Sequence, residues 1–192
     1  MARRSDSRQR MLESAAELFH AQGYHATGLN QVVTTSGSPK GSLYFHFPGG
    51  KEQLAAEALR MSGGQLCEVL REMTAQAPDA ASGIDAVVEG LIGALTGSGF
   101  HRGCPLAAVA LDAAADSEQI RQACAEGYDS WRELIADFLG NQGLAADRAD
   151  ALATVVLASV EGGLLLAKAS HDTVPLRAVA DHLRATIERE LP

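Results

Sequence analysis

The stretch from Ser36 to Lys51, SGSPKGSLYFHFPGGK, constrains the fold of this chain more than any other part of it. Ser38 followed by Pro39 is typical of a helix N-cap and first helical residue, because proline already has a helical φ and lacks only an N–H that would be unpaired there. Gly41 and Ser42 would then lie in the first turn, where unpaired N–H groups and the helix dipole favour an anion. The stretch predicts a helix that begins at Pro39 and presents this end to a negatively charged partner.

The residues just before this stretch predict a second, shorter helix. Thr27 is a candidate N-cap, and Gly37 stands where a tight turn needs a positive φ. Between them the apolar residues recur at one-turn spacing, at Leu29, Val32 and Val33. Two short helices joined by a glycine-containing turn form a helix-turn-helix unit, whose second helix lies in the major groove of DNA.

The second helix of this unit predicts a DNA-binding surface. Leu43 and Phe47 are four residues apart and are expected to face inward. We predict that Lys40 and Ser38 reach base edges, that Gly41 permits close approach, and that the polar side chains around them hold phosphates. The predicted DNA-binding residues are Thr27, Ser38, Pro39, Lys40, Gly41, Ser42, Tyr44, His46 and Lys51. The structural alternatives are that Tyr44 is core, that Lys40 is only a solvated charge and that Thr27 is only a helix cap.

The span from about Arg8 to Leu59 resembles the DNA-binding domain of the TetR family of bacterial transcriptional repressors. The family pattern of Gly-Tyr, Thr, Lys-Gly-Ser-Leu-Tyr-x-His-Phe and Lys-Glu-x-Leu is present at Gly23-Tyr24, Thr27, residues 40–47 and residues 51–54. The last two blocks are separated by one residue more than is commonest in the family. The resemblance implies a homodimeric repressor that leaves a near-palindromic operator when a small molecule binds its C-terminal domain.

The charge of the chain is unevenly divided. The formal net charge is −8, but residues 1–60 carry +2 and residues 61–192 carry −10. A basic head on an acidic body would orient the protein on DNA, because affinity for a duplex comes largely from the displacement of counterions at phosphates. Arg3 and Arg4 belong to a basic arm, residues 1–5, which we predict to be disordered in the free protein and either to contact DNA or to aid solubility.

Cysteine usage and helical periodicity set the fold class and the compartment. The three cysteines form no Cys-x-x-Cys pair and no apolar signal peptide precedes them, so we predict a reducing cytoplasm.

Helical patterns follow one another along the whole chain, which predicts an all-α fold. We expect residues 1–48 to form a three-helix DNA-binding domain and residues 49–192 to form a helical domain for effector binding and dimerisation. Gly63-Gly64 interrupts the long helix predicted from about Gly50 to Ala75. Three interpretations are open: a hinge, a close approach to another element, and a break between two helices.

Residues 151–167, ALATVVLASVEGGLLLA, are almost continuously apolar. The length near seventeen, the central Glu161 and the paired glycines argue against a membrane span. A helix that is apolar all round must be covered on both sides, so we predict that a second subunit packs here and on the last helix, Pro175 to about Glu190. The predicted dimer interface consists of Val155, Ala158, Ser159, Gly162, Gly163, Leu176, Val179 and Leu183. Gly-Cys-Pro-Leu at residues 103–106 and the late Glu-Gly-Gly-Leu-Leu-Leu-Ala-Lys-Ala are similar to the LmrA/YxaF-like branch of the family.

An effector pocket would draw on large apolar side chains of the body, which are otherwise core residues. The candidates are Met61, Leu66, Phe100, Cys104, Leu111, Trp131, Phe138, Glu161 and Leu165. Glu161 stands out, because a carboxylate among apolar neighbours must be paired, protonated or at a pocket rim. Pairing with an arginine such as Arg102 and recognition of a cation are both open.

No catalytic or metal-binding constellation is present in the sequence. It contains no G-x-S-x-G, no H-E-x-x-H and no G-x-x-x-x-G-K-[ST], and its six histidines are scattered. We therefore expect no enzyme, no metal and no cofactor. The alternatives to a ligand-responsive regulator are a constitutive DNA-binding protein without an effector and a helical enzyme in which the motif is accidental.

Overall fold

The fold was determined as a computed structural model, which describes residues 2–39 and 41–191, with side chains from Asp6 onward. These residues form nine α-helices and no strand, so the predicted all-α fold is confirmed. The helices are α1 (Ala2–Gln22), α2 (Leu29–Thr35), α3 (Ser42–His46), α4 (Gly50–Ala75), α5 (Ala80–Gly97), α6 (Ala107–Ala113), α7 (Glu118–Asn141), α8 (Ala146–Ser170) and α9 (Val174–Glu190).

The helices assemble into two compact units. The first consists of residues 1–64 and 105–127, and the second of residues 65–104 and 128–192. Helices α4 and α7 contribute residues to both units. This division follows spatial contacts rather than function, and the functional boundary between residues 48 and 49 stays a prediction.

The first unit is built around one apolar core shared by α1 to α4, α6 and the first part of α7. Leu43 of α3 and Phe47 at its C-terminal cap are buried against this core, as their spacing predicts. The chain reverses at Gly23 and Gly37, whose φ angles of +82° and +61° are left-handed and favour glycine. The fully buried core side chains of this unit include Met11, Phe19, Leu54, Leu106 and Ile120.

Helix α3 begins three residues later than the sequence predicts. The Ser42 N–H donates to the Pro39 carbonyl over 2.9 Å, which closes a turn before the helix instead of a helical bond. Ser38 cannot cap the helix, because its hydroxyl is buried and accepts a hydrogen bond from Ser7 Oγ at 3.1 Å. The N-cap is Gly41, which has no side chain to cap with.

Two further helix starts differ from their predictions. Helix α1 begins at Ala2, so the segment predicted to be a disordered arm continues the helix. The N-cap of α2 is Gly28, and the Thr27 hydroxyl donates backward to the Gly23 carbonyl at 2.7 Å.

Helix α4 runs through Gly63-Gly64 without a break. Of the three predicted alternatives, the structure shows the close approach of another element. A Cβ on Gly63 would lie 3.5 Å from the Leu106 side chain and 3.9 Å from the Gly127 Cα. On Gly127 a Cβ would come within 2.5 Å of Leu106, which is fully buried. The two glycines make room for one leucine between α4 and α7.

The second unit packs α8 and α5 against α9. Leu176, Leu183 and Ile187 of α9 are buried in this contact. Helix α5 begins at a side-chain cap, because Asp79 accepts the Ser82 N–H at 2.7 Å. Among the described residues, α5 and α8 are long and apolar enough to cross a membrane by length and composition, a test that core helices of other proteins also pass.

Candidate nucleic-acid interface

Helix α3 presents a compact exposed surface that its two buried residues hold in place. We define the α3 surface as Pro39, Gly41, Ser42, Tyr44, Phe45 and His46, all of which are exposed or half-buried. Tyr44 and Phe45 are each 65 % exposed, although both are large aromatic residues. The alternative that Tyr44 is a core residue is therefore wrong.

One side of this surface borders an open depression of about 730 Å³. The wall from α3 consists of Gly41, Ser42, Phe45 and His46, and Pro39 and Gly37 precede them. The opposite wall comes from α1, with Asp6, Ser7 and Arg10. The depression therefore lies between the N-terminal half of α1 and α3.

Two predicted DNA contacts have other partners inside the protein. Thr27 is buried, and its hydroxyl accepts from Gln22 Nε2 at 3.1 Å in addition to its own bond to Gly23. Ser38 is buried against Ser7. Both hydroxyls hold the turns that position α2 and α3, which differs from the predicted contacts with phosphate and base edges.

Of the two lysines predicted to bind DNA, the structure describes only Lys51. Lys40 lies outside the described residues. The Lys51 ammonium lies 4.3 Å from the centre of the Tyr24 ring, in a cation–π contact. Partial burial lowers the pKa of Lys51, an effect that the Asp112 carboxylate opposes. Gly50, which directly precedes Lys51, has a φ of +68° that few other residues adopt.

Arginines of α1 brace the unit rather than project from it. Arg8 pairs with Glu57 and lies 5.3 Å from the centre of the Phe47 ring. Arg10 pairs with Asp6, and its Nε donates to the Ser36 carbonyl at 3.1 Å. Arg10 thereby fixes α1 to the turn between α2 and α3, and Arg8 fixes α1 to α4.

Sequence reasoning missed Phe45, which occupies the variable position of the motif. Helical spacing could have identified it, because Phe45 is three and four residues beyond Ser42 and Gly41 and shares their face.

A further contact missed by the sequence attaches α6 to the turn after α1. The Asp112 carboxylate accepts the His25 N–H at 2.8 Å, and His25 Nε2 donates to the Asp112 carbonyl at 3.0 Å. The same carboxylate would lie 3.1 Å from a Cβ on Gly23. No local sequence signal connects these groups, because His25 and Asp112 are 87 residues apart.

The effector candidates divide between the two units. Met61 and Leu111 belong to the first unit, and Leu111 is 79 % exposed, so it lines no enclosed pocket. Leu165 in the second unit is 58 % exposed. Leu66 is a half-buried residue of the second unit.

A polar and aromatic cluster in the second unit joins three of the candidates. Cys104 is hydrogen-bonded to Glu161, and its Sγ is 3.9 Å from the Tyr128 hydroxyl. The Tyr128 ring meets Trp131 edge-on at 5.5 Å. Burial raises the pKa of Glu161, which the bond to Cys104 partly offsets, so the carboxyl holds its proton more readily than usual.

The aromatic candidates Phe100 and Phe138 have contacts of their own. Phe100 has a φ of +63° and stacks on His171 at 5.1 Å between ring centres. Phe138 packs against Gly83, where a Cβ would meet its ring at 2.4 Å. Both contacts fix neighbouring elements of the second unit.

The predicted dimer residues are partly exposed and partly internal. Gly163, Leu176 and Leu183 are buried within the second unit, where Gly163 packs against Leu176 and Val179 of α9. Ser159 and Val179 are half-buried. An exposed row remains, which we define as the α8 stripe: Val155, Ala158, Gly162, Leu165 and Leu166. Leu166, which was not predicted, is 61 % exposed.

Side chains suited to metal or redox chemistry are not assembled in the part of the chain that the structure describes. Its His, Cys, Asp and Glu residues form no group of three that could hold a metal ion. All three cysteines are buried, and burial raises the pKa of Cys124 to about 11, which makes its thiol unreactive.

Comparison with known proteins identifies the family. Residues 11–58 match the model for bacterial regulatory proteins of the tetR family, and residues 80–182 match the C-terminal domain of LmrA/YxaF-like transcriptional regulators. The HTH-type transcriptional regulator LmrA of Bacillus subtilis (strain 168) is 37 % identical over 184 residues, which cover 96 % of this chain and 98 % of LmrA. This chain belongs to the TetR family. It is a DNA-binding transcriptional regulator with a C-terminal domain of the LmrA/YxaF type.

Other relatives agree with this assignment. The uncharacterized HTH-type transcriptional regulator YxaF of Bacillus subtilis (strain 168) is 34 % identical and covers 99 % of this chain and 100 % of its own length. Among solved structures, a TetR family regulator from Cytophaga hutchinsonii has the same fold, with a TM-score of 0.85 at 23 % identity over 100 % of this chain and 98 % of its own. The matched families are regulators, which confirms the prediction that this TetR family member is not an enzyme.

Proposed function

We propose that this TetR family member is a homodimeric repressor that binds a near-palindromic operator through the α3 surface and leaves it when a small molecule binds the second unit. The observation that carries the proposal is the α3 surface itself. Its buried residues Leu43 and Phe47 leave Tyr44 and the polar side chains of α3 facing outward. A helix held in this way can enter the major groove.

The contacts to DNA follow from the chemistry of each exposed group. Gly41 is exposed and has no atom within 4 Å of a Cβ position, so the backbone can approach a base edge or phosphate closely. Ser42, Tyr44 and His46 carry donors that suit phosphate oxygens. Lys40 and Lys51 complete the proposed set as cations near the start and after the end of α3.

Dimerisation follows from the α8 stripe. Apolar residues in one row along α8 remain in water in the single chain, including Val155 at 52 % exposure. Pairing of two such stripes would bury them, and the small side chains Ala158 and Gly162 would let the helices approach closely. Two copies would then place two α3 surfaces on half-sites about 34 Å apart or a near multiple of that spacing.

The proposed effector site centres on Glu161, Cys104, Tyr128 and Trp131. A carboxyl and a phenol among apolar side chains offer directional hydrogen bonds in a setting that favours organic ligands. Residues 98–104 of the second unit lead directly into α6, which Asp112 attaches to His25 in the first unit. We propose that ligand binding displaces α6 and weakens this attachment, and that the regulator acts in the cytoplasm, where its operator lies.

Selection of bound duplexes from a random pool, followed by gel shifts against a compound panel, tests the proposal. The expected result is a near-palindromic consensus and at least one compound that releases the protein from it. Release should be weaker in Glu161→Gln if the carboxyl contributes to recognition. Binding of a selected sequence with no releasing compound would instead support a constitutive DNA-binding protein, and failure to select any duplex would contradict the proposal.

A further inference from the structure

Phe45 is an exposed aromatic ring at the centre of the α3 surface that no predicted contact explains. It is 65 % exposed, as Tyr44 is, and it lines the depression together with Gly41, Ser42 and His46. Leaving a phenyl ring in water is unfavourable, because its burial would release ordered water. A surface position with this cost suggests a partner that covers the ring.

The chemistry of the ring restricts what it can contact on DNA. Phenylalanine has no hydrogen-bond donor or acceptor, so it cannot bind a phosphate oxygen or a polar base edge. The major groove contains one apolar group, the C5 methyl of thymine. Tyr44 has the same exposure but carries a hydroxyl that can donate to a phosphate.

The position of Phe45 favours a base over the sugar-phosphate backbone. Phe45 follows Ser42 by three residues and Gly41 by four, so it shares their face of α3, whereas Tyr44 is rotated from Phe45 by about 100°. Gly41 lies on the same face and leaves room for close approach. The ring therefore projects from the face through which the helix would come nearest to base edges.

We propose that Phe45 reads a thymine in each half-site by packing on its C5 methyl group. The inference rests on the proposed function, because it requires α3 to lie in the major groove. Within that function it assigns a sequence-determining role to a residue that forms no polar contact with the operator. Loss of Phe45 should relax the base preference at one position and leave the rest of the consensus unchanged.

Deoxyuridine substitution in the selected operator tests this directly. Each thymine is replaced in turn by deoxyuridine, which keeps the base pair and removes only the methyl group. For the wild-type protein we expect one sensitive thymine per half-site, with about fourfold weaker binding for one substitution and about sixteenfold weaker binding for the symmetric pair. Phe45→Ala should bind the thymine and deoxyuridine operators equally.

Several results would overturn the proposal. Wild-type protein that binds the operator but is insensitive to every deoxyuridine would exclude thymine reading, and so would a Phe45→Ala variant that keeps the wild-type sensitivity. If Phe45→Ala binds no duplex, Phe45→Gln replaces it, because that side chain fills similar space but ends in a polar amide, and an unchanged sensitivity of this variant would equally contradict the role. Failure of the wild-type protein to select any duplex would instead refute the proposed function, so the two failures are distinguishable.

Discussion

Two surfaces of this molecule leave apolar side chains in water, and their chemistry differs. The α3 surface exposes aromatic rings among glycine, serine and histidine on a helix of five residues. The α8 stripe exposes aliphatic side chains with alanine and glycine on a helix of 25 residues. Rings beside hydrogen-bond donors suit a polar polymer with a few methyl groups, whereas a smooth aliphatic row suits another protein helix.

The two surfaces also lie in parts of the chain that differ in net charge, and this difference explains how a strongly acidic chain can bind DNA. The net charge of −10 lies in residues 61–192, which include the α8 stripe, and residues 1–60 with the α3 surface carry +2. Repulsion from phosphates would keep the acidic part away from the duplex and leave the α8 stripe available to a second copy.

The largest effect is expected from a charge in the α8 stripe. Leu165→Glu should dissociate the dimer, because a carboxylate would have to be buried without a partner. Operator affinity should fall at least about 100-fold, since two half-sites would no longer be bound by one particle. Sedimentation and gel shifts measure the two effects. Leu111→Glu is the matched control, because Leu111 is 79 % exposed in the first unit and should change neither. A dimeric Leu165→Glu protein would refute the role of the stripe.

The next effect is expected at Tyr44 on the α3 surface. Tyr44→Phe removes one hydroxyl, and we expect operator affinity to fall about tenfold through loss of a hydrogen bond to a phosphate. The loss should be similar for all duplex sequences, because phosphate contacts carry no sequence information. Fluorescence anisotropy with specific and random duplexes provides the measurement. Dissociation of the dimer by this change would contradict the separation of the two surfaces.

The helices and the position of the DNA-binding unit could largely be predicted from sequence, because they depend on local spacing. Gly37 has the positive φ, and Leu43 and Phe47 the burial, that their patterns predict. The predicted start of α3 at Pro39 was wrong. The Ser38 hydroxyl that would cap a helix there is instead hydrogen-bonded to Ser7 of α1, 31 residues away.

The exposed rows and long-range contacts could not be predicted in this way. Periodicity showed that both sides of α8 must be covered, but it could not assign Leu165 to the exposed side and Gly163 to the contact with α9. The attachment of Asp112 to His25 depends on how α6 packs in three dimensions, and neither residue stands in a motif.

A smaller effect is expected at Glu161, which is half-buried in the second unit, whereas the α3 surface includes no carboxyl group. Burial raises the pKa of Glu161 above its ordinary value of 4.5, so the folded protein favours the neutral carboxyl. Stability should therefore be full at a pH below that value and decrease as the pH rises through the folded-state pKa. Glu161→Gln should melt about 2–4 °C above the wild-type protein near pH 8, and this difference should vanish near pH 4. A difference independent of pH would show that the carboxyl is not the cause.

The smallest effect is expected at the edge of the α3 surface. Asp6 pairs with Arg10 beside the depression, so Asp6→Asn should release the guanidinium toward phosphates. We expect binding to random duplex to strengthen about twofold to threefold at low salt and the gain to disappear at high salt. Asp116→Asn, which removes an exposed carboxylate elsewhere in the first unit, is the control. An equal gain from both changes would indicate net charge alone.

The central claim is that two copies of this chain place their α3 surfaces on one duplex, and the mass of the operator complex tests it most directly. Analytical ultracentrifugation of the wild-type protein with its selected operator should give two chains per duplex, or a multiple of two, on a sequence with near-twofold symmetry. A complex of one chain on an asymmetric site would contradict the claim.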